Sequence, residues 1–158
     1  MDSLRHLETS DYFPILRVAN EWWGGRPVAG ILLRAFFEHF QSTSFVLEHE
    51  GAIKGFLIGF RSQTDPAQAY IHAVGVDPQD RGQGRGRRLY EHFFAAVKAM
   101  GCTEVLSITS PVNKGSIAFH RKMGFEILPG DAEIDGVAVT TNHDGHDGAR
   151  VLFRHHLA

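Results

Sequence analysis

The sequence lacks the features that mark secreted, disulfide-rich and membrane-spanning proteins. Cys102 is the one cysteine among 158 residues, so an intramolecular disulfide is excluded and a reducing compartment fits best. It has no nearby sequence partner, so a covalent cysteine mechanism is not expected. The longest apolar stretches, such as residues 55–60, fall far short of the ~20 residues of a membrane helix. No signal-peptide pattern is seen, and we expect a cytoplasmic protein that does not span a membrane.

The sequence also has no excess of charge of either sign. Its 16 Lys and Arg residues and 18 Asp and Glu residues give a formal net charge of −2. Proteins that bind duplex nucleic acid usually carry a basic excess, so no nucleic-acid partner is predicted, although a local basic cluster can still bind an anion. The hydrophobic share of 43% is that of an ordinary globular chain. A length of 158 residues predicts one domain over residues 1–158.

Hydrophobic periodicity and turn residues predict a mixed α/β (α+β) domain with helices packed on a sheet. Leu32, Phe36 and Phe40 follow a four-residue spacing, which predicts an apolar face on a second helix that starts near Pro27. The polar, glycine-rich residues 129–149 are predicted to form a long loop. The predicted strands are residues 4–7, 44–49, 53–61, 69–76, 104–109, 125–128 and 151–156, and the predicted helices are residues 12–22, 28–40, 86–100 and 114–123.

The most informative segment is a glycine-rich turn between the predicted strand 69–76 and the helix that follows it. Gly82, Gly84 and Gly86 alternate with other residues, which lets backbone N–H groups converge at a helix N-terminus and attract phosphate. A Walker loop is excluded because no Gly-Lys-Ser/Thr occurs, and a dinucleotide fingerprint fails at Leu89. Taken alone, the turn is also compatible with a plain connection whose arginines are solvated. Those arginines are Arg81, Arg85, Arg87 and Arg88.

A second motif follows the predicted strand 104–109, and the two segments together resemble the GNAT superfamily of acyl-CoA-dependent N-acetyltransferases. Arg81, Gly84 and Gly86 match the R/Q-x-x-G-x-G/A pyrophosphate loop of that family. The resemblance covers residues 70–125 and carries no motif outside them. The second signature, N-x-x-(A/S)-x-x-x-Y-x-K-x-G-F, is matched at Asn113, Ser116, Lys122, Gly124 and Phe125.

The resemblance implies a mostly antiparallel sheet whose central strand pair splays, with helices on both faces and Gly75 at a strand bulge. It implies direct transfer of an acetyl group from acetyl-CoA to a primary amine of a small molecule or peptide, and it allows a homodimer. An acyl-CoA sensor without turnover and a nucleotide-binding module are the alternatives. The residues implied to bind acetyl-CoA are Val74, Val76, Arg81, Gly82, Gln83, Gly84, Arg85, Gly86, Arg87, Asn113 and Ser116.

The sequence departs from the family pattern at His120, where the family usually has a tyrosine that protonates the leaving thiolate. Histidine can still donate a proton near neutral pH, so we predict that His120 is the general acid. A buried histidine with a structural hydrogen bond is the alternative. His72 is the predicted general base, because strand alternation would place it on the same face as Val76. Glu38 and His39 are further candidates for the base.

The resemblance implies that the acceptor site is formed by the connection between the first two helices and by residues 131–147. Trp22 and Trp23 either wall a small-molecule pocket or pack the helix on the sheet. The acidic residues of 131–147 favour a cationic amine, whereas Arg26 favours an acceptor with a carboxylate. No metal site is predicted, because the His and Asp residues of 143–147 show no compact ligand spacing.

Overall fold

The computed structural model describes residues 1–25 and 29–158. In the described residues the helices and strands begin and end close to the predicted positions, except for α2, β7 and β8. The strands are β1 (Asp2–His6), β2 (Phe45–His49), β3 (Ala52–Arg61), β4 (Gln68–Val76), β5 (Glu104–Thr109), β6 (Glu126–Ile127), β7 (Ala132–Ile134), β8 (Val137–Val139) and β9 (Val151–His156). The helices are α1 (Tyr12–Trp22), α2 (Arg34–His39), α3 (Arg85–Ala99) and α4 (Lys114–Lys122).

The main sheet is mixed and mostly antiparallel, as predicted. Within the described residues it has seven strands in the order β1-β2-β3-β4-β5-β9-β6, and β7 and β8 form a separate hairpin. In that sheet β4 and β5 are parallel to each other, while the other neighbouring strands are antiparallel. Helix α3 connects β4 to β5, which is the usual way to join two parallel strands.

The two central strands separate after a short paired region. β4 and β5 pair only as far as Tyr70 and Leu106, although β4 continues to Val76 and β5 to Thr109. Opposite β3, the register of β4 shifts where His72 is inserted as the extra residue of a bulge. A bulge bends its strand and interrupts pairing, so the bulge at His72 lies where the two strands part.

Gly75 does not form the bulge that the resemblance implied. It pairs in register with Phe56 of β3, and a Cβ atom at this position would lie 2.9 Å from Phe56 Cζ. Glycine is therefore required here because the Phe56 ring crosses the strand, and the strand is bent at His72 instead.

Buried side chains form a hydrophobic cluster on each face of the sheet. The first cluster joins the sheet to α3 and α4 through residues such as Leu89, Phe93 and Ile117. The second cluster joins the sheet to α1 and α2 through residues such as Ile15 and Phe37. This arrangement confirms the prediction of helices on both faces. None of the described helices has the length and apolar character that a membrane crossing requires.

The predicted helix over residues 28–40 is wrong in its extent. A short 3₁₀ turn spans Ala29–Ile31, and α2 begins only after Leu33. Leu33 has an extended backbone (φ −77°, ψ 144°), which interrupts a continuous helix. The predicted start at Arg26, Pro27 and Val28 lies outside the described residues.

The predicted apolar face of this helix is also only partly correct. Phe36 and Phe40 do touch, with ring centroids 5.3 Å apart. However, the fully buried residue of α2 is Phe37. Leu32 is also buried, but it lies in the segment before the helix. A short helix has too few turns for a stripe of three residues at four-residue spacing.

The predicted loop over residues 129–149 contains regular structure. Its first half forms the β7–β8 hairpin, whose turn has Asp135 and Gly136 at positive φ. Asp131 accepts hydrogen bonds from the backbone and side chain of Thr141, and Thr140 pairs with Arg150 at the start of β9. The segment is therefore folded back against the main sheet.

Candidate functional site

Two cavities lie side by side at the point where β4 and β5 separate. The strand cleft, of about 480 Å³, lies between residues 70–74 of β4 and residues 107–110, which are the end of β5 and the residue after it. The loop cavity, of about 670 Å³, lies beside the glycine-rich turn that begins α3. Six of the described residues line both cavities, and they are Trp23, Val74, Tyr90, Asn113, Ser116 and His120.

The glycine-rich turn presents backbone N–H groups to the loop cavity. Gly82 and Gly84 have φ values of 91° and 75°, a left-handed conformation that favours glycine. Gly84 caps α3, and the first bonded N–H of the helix is that of Arg88, 3.0 Å from the Gly84 carbonyl oxygen. The N–H groups of the preceding turn therefore remain available to an anion, where the helix dipole adds to the attraction.

The arginines of this turn differ in their partners. Arg85 is buried and donates from Nε and Nη2 to Asp2, at 2.9 and 3.1 Å. The same hydrogen bonds hold the pKa of Asp2 down at about 2. The Nη1 of Arg85 pairs with Asp80 Oδ2 at 3.4 Å, so two carboxylates balance the charge of this buried guanidinium.

The other arginines are more accessible. Arg87 and Arg88 are exposed, each with 47% of its side chain accessible. Arg81 donates to the Trp22 carbonyl oxygen at 3.1 Å, which links the turn to the end of α1. Of the residues predicted to bind acetyl-CoA, Gln83 alone does not line the loop cavity in the described structure. The others line it: Val74, Val76, Arg81, Gly82, Gly84, Arg85, Gly86, Arg87, Asn113 and Ser116.

Helix α4 begins at the boundary between the two cavities. The side chain of Asn113 caps this helix by accepting a hydrogen bond from the Ser116 N–H at 3.1 Å. The capping bond fixes the first turn of the helix. His120 lies one turn further along, on the same face as Ser116.

His120 is buried and held on both sides of its ring. Its Nδ1 lies 2.8 Å from the Ser116 carbonyl oxygen and its Nε2 lies 3.0 Å from the Tyr90 hydroxyl. The ring stacks on Phe153 at 4.3 Å. Because a carbonyl can only accept, Nδ1 carries the hydrogen and Nε2 of the neutral ring accepts from Tyr90. Burial lowers the pKa of His120, which favours this neutral form.

Tyr90 is a residue of the site that the sequence analysis missed. It lies on α3, is 3% exposed and lines both cavities. Burial raises the pKa of Tyr90, so its hydroxyl keeps its proton at neutral pH. The available signal was a tyrosine directly after Leu89 in the predicted helix 86–100, since a buried tyrosine hydroxyl needs a hydrogen-bond partner.

The structure places His72 differently from the prediction. Its Nε2 lies 2.8 Å from the Ile31 carbonyl oxygen, and its ring is 4.5 Å from that of Phe36. It therefore lies on the α2 side of the sheet, whereas Val76 packs against the cluster on the α3 side. The bulge at His72 shifts the alternation between the two residues. His72 does line the strand cleft.

The other candidates for a general base lie outside both cavities. Glu38 accepts from Arg34 of the same helix at 2.8 Å, and neither Glu38 nor His39 lines a described cavity. The two tryptophans have different roles. Trp22 is buried against Phe56, whereas the Trp23 indole donates to the Val74 carbonyl oxygen at 2.9 Å and walls both cavities.

The segment before β9 brings an ion pair to the strand cleft. Asp144 and Arg150 both line it, with Oδ2 and Nε 3.0 Å apart. Tyr70 lines the cleft beside them, and burial, reinforced by the charge of Asp144, raises the pKa of Tyr70. Sequence analysis missed Tyr70 and Arg150, because the bulge and the fold of residues 129–149 bring them together. Arg26 lies outside the described residues.

Comparison with known proteins gives one family. The model of the acetyltransferase (GNAT) family matches residues 1–125. The L-2,4-diaminobutyric acid acetyltransferase of Nocardia farcinica is 34% identical over 79 residues, which are 50% of this chain and 41% of the relative. The L-methionine sulfoximine/L-methionine sulfone acetyltransferase of Pseudomonas aeruginosa is 25% identical over 138 residues, which are 79% of this chain and 80% of the relative. The chain spans about half the length of the diaminobutyric acid acetyltransferases that it matches.

Solved structures share the fold over nearly the whole chain. One is the diaminobutyrate acetyltransferase EctA of Paenibacillus lautus, in complex with L-2,4-diaminobutyric acid and coenzyme A. Its TM-score is 0.74 at 20% identity, and the match covers 99% of this chain and 95% of that chain. At this level of identity the likeness establishes the fold.

Proposed function

Because the chain belongs to the acetyltransferase (GNAT) family, we propose that it transfers an acetyl group from acetyl-CoA to a primary amine of a small molecule. The observation that carries the proposal is the pair of cavities that share a wall of six described residues. One cavity has the features of an anion site and the other is an open cleft between strands. A donor in the loop cavity and an acceptor in the strand cleft would meet at that wall.

The loop cavity fits the phosphates of acetyl-CoA. Among the described residues, its turn offers unpaired N–H groups at a helix N-terminus. Arg81 and Arg87 add guanidinium groups beside the turn. From there Val74 and Asn113 lead to the shared wall, so they are the proposed contacts of the pantetheine arm.

The strand cleft fits an amino acid as acceptor. Its volume of about 480 Å³ is within the range of small-molecule pockets. Asp144 can pair with an ammonium group and Arg150 with a carboxylate. The names of the diaminobutyric acid and methionine sulfoximine acetyltransferases support the same class of acceptor.

The proposed chemistry is direct transfer between two bound substrates. Acetyl-CoA supplies a thioester whose carbonyl carbon is attacked by the neutral amine, and its thiol is released. In the proposal, the chain aligns the two reactants at the shared wall. A covalent route through Cys102 is not part of the proposal, because this thiol is buried and lines neither described cavity. We also propose a cytoplasmic location, while a homodimer and a peptide acceptor stay predictions.

Calorimetric titration tests the donor. We expect acetyl-CoA to bind with a micromolar Kd, which corresponds to about −8 kcal/mol, and CoA to bind similarly. ATP and NADH serve as controls and are expected to give little heat. Absence of acetyl-CoA binding, or equal binding of all four, would contradict the proposed donor site. Binding without release of free thiol for any amine would favour the sensor.

Substitution of the ion pair tests the acceptor class. We expect Arg150→Met to raise KM for L-2,4-diaminobutyric acid by about 10- to 100-fold, since a charged hydrogen bond contributes about 1.5–3 kcal/mol. With 1,3-diaminopropane, which has no carboxylate, the substitution should leave KM unchanged. Arg154→Met is the matched control, because Arg154 pairs with Glu126 and lines neither described cavity. Equal effects on both acceptors would exclude a carboxylate site at Arg150.

A further inference from the structure

Tyr90 and His120 form the most deeply buried polar pair at the wall between the two cavities. Tyr90 is 3% exposed and His120 is 4% exposed, and both line both cavities. Nothing in the motif pattern pairs them, since Tyr90 lies on α3 and His120 on α4. We propose that this pair is a proton relay, in which the Tyr90 hydroxyl exchanges protons with the reactants and His120 holds a proton behind it. The inference rests on the proposed function of the site.

The geometry leaves one open position on the pair, at the Tyr90 oxygen. The Nδ1 of His120 is fixed by the Ser116 carbonyl oxygen at 2.8 Å, and its Nε2 accepts the hydroxyl proton of Tyr90 at 3.0 Å. His120 therefore has no ring nitrogen left for a reactant. The Tyr90 oxygen, in contrast, still has lone pairs that can accept a proton from the shared wall. This makes Tyr90 the proposed catalytic residue and His120 the positioning residue that acts through it.

The environment of the pair favours a relay that starts neutral. Aromatic rings surround it: Phe119 and Phe125 contact both members, and Phe153 stacks on His120. Among the described residues, Tyr90 is the one titratable side chain in contact with His120. No charged group therefore stabilises an imidazolium, and burial lowers the pKa of His120. A neutral ring can take up a proton and, once protonated, returns it readily.

The proton balance of one transfer follows from this arrangement. As the neutral amine nitrogen bonds to the acetyl carbon, it gives one proton to the Tyr90 oxygen, and the hydroxyl proton of Tyr90 passes to Nε2 of His120. As the carbon–sulfur bond breaks, Nε2 returns its proton to the Tyr90 oxygen, which donates a proton to the departing sulfur. The products are an amide and a free thiol, and both side chains end in their starting state.

The kinetic test uses variants that keep the packing. We expect Tyr90→Phe and His120→Gln each to lower kcat by about 10²-fold or more and to leave KM for both substrates unchanged. Because the two residues form one path, the double variant should be no slower than the slower single variant. In His120→Gln the acid limb of kcat/KM should lose the step that reports protonation of His120, whereas the step from protonation of the acceptor amine stays in every variant. Tyr12→Phe and His155→Gln are the matched controls outside both described cavities.

A spectroscopic readout does not depend on turnover. In ¹⁵N NMR of the protein without substrates, Nε2 of His120 should be the unprotonated ring nitrogen, and Tyr90→Phe should shift its resonance. A protonated Nε2 would overturn the relay, as would wild-type kcat in a folded Tyr90→Phe variant or multiplicative losses in the double variant. A wild-type protein that binds no acetyl-CoA overturns the proposed function and the relay with it. Wild-type turnover with an unchanged Tyr90→Phe rate overturns the relay alone.

Discussion

At the scale of single residues, Gly59 shows where the core requires the absence of a side chain. It lies in β3 opposite the bulge of β4, and a Cβ atom there would lie 2.8 Å from Phe93 Cζ and 2.9 Å from the Tyr70 carbonyl oxygen. Phe93 is fully buried, so its ring cannot move aside. We expect Gly59→Ala to lower the free energy of unfolding by about 1–3 kcal/mol, the usual cost of overpacking.

A glycine in an open helical position provides the control. A Cβ atom at Gly115 of α4 would meet no atom within 4 Å, so Gly115→Ala should raise the free energy of unfolding by about 0.5–1 kcal/mol. Urea unfolding followed by circular dichroism measures both changes. Equal stability of the Gly59→Ala variant and the wild type would show that the sheet can move away from α3 at this point.

Single residues also show how far a motif predicts a site. The signature placed His120 on a predicted helix, and the structure brings it to the shared wall of the two cavities. It did not identify Tyr90, because the contact joins two helices that are distant in the sequence. His72 was predicted from alternation, but one inserted residue in β4 shifts that alternation. Spacing along one element is readable from sequence, whereas a bulge or an interhelical contact depends on packing.

At the scale of secondary structure elements, α3 has a left-handed glycine next to each of its ends. Gly84 (φ 75°) precedes the helix and Gly101 (φ 98°) follows it, and a Cβ atom at either would meet nothing within 4 Å. Alanine at either position should therefore cost a similar left-handed strain, about 1–2 kcal/mol of unfolding free energy. The two ends differ in position, since Gly84 lines the loop cavity and Gly101 does not.

Calorimetry separates the strain from the binding role. We expect Gly84→Ala to weaken acetyl-CoA binding by about 10-fold or more, because losing one or two charge-assisted hydrogen bonds costs about 1.5–3 kcal/mol. Gly101→Ala should bind like the wild type despite a similar loss of stability. If both variants bind equally well, the turn does not hold the phosphates through its backbone.

The elements themselves were predictable where local patterns are strong. Helix α1, β5 and β9 begin and end at the predicted residues, since caps and alternation mark them. Helix α2 was predicted too long because its apolar residues continue through Leu33, where the backbone is extended. The β7–β8 hairpin was missed because its strands are only three residues long and lie in a segment that is otherwise polar and rich in glycine. Pairing across a turn stabilises such strands, which no local pattern reveals.

At the scale of the whole molecule, the net charge is slightly negative while the charge around the loop cavity is positive. The chain carries a net charge of −2, yet the described residues that line the loop cavity include Arg81, Arg85, Arg87 and Lys122 against Asp80. The composition therefore excluded a broadly basic surface but could not predict where the cations gather. The splayed strand pair, which the resemblance implied, is what brings this cluster next to the strand cleft.

The whole molecule also has a pH dependence of stability that follows from two histidines with lowered pKa values. Burial lowers the pKa of His120 and of His92 from the ordinary value of 6.5. Below about pH 6.5 these histidines are protonated in the unfolded chain but still neutral in the folded protein. The free energy of unfolding therefore falls as the pH falls from there towards the lowered pKa values. Each histidine contributes a slope of at most about 1.4 kcal/mol per pH unit. Asp2, with a pKa of about 2 instead of 3.8, acts in the same direction but only at much lower pH.

Urea unfolding between about pH 7.5 and pH 5 tests this dependence. The wild type should lose stability across the acid half of this range, and His120→Gln should show a shallower slope because one of the two histidines is gone. Slopes are the quantity to compare, since the variant also loses the hydrogen bonds of the ring and starts from a lower stability. Above about pH 7 the curves should run parallel, because His120 is then neutral in both the folded and the unfolded chain. Identical slopes at acid pH would mean that His120 takes up a proton as easily in the folded protein as in the unfolded chain. That result would contradict the neutral starting state of the proposed relay.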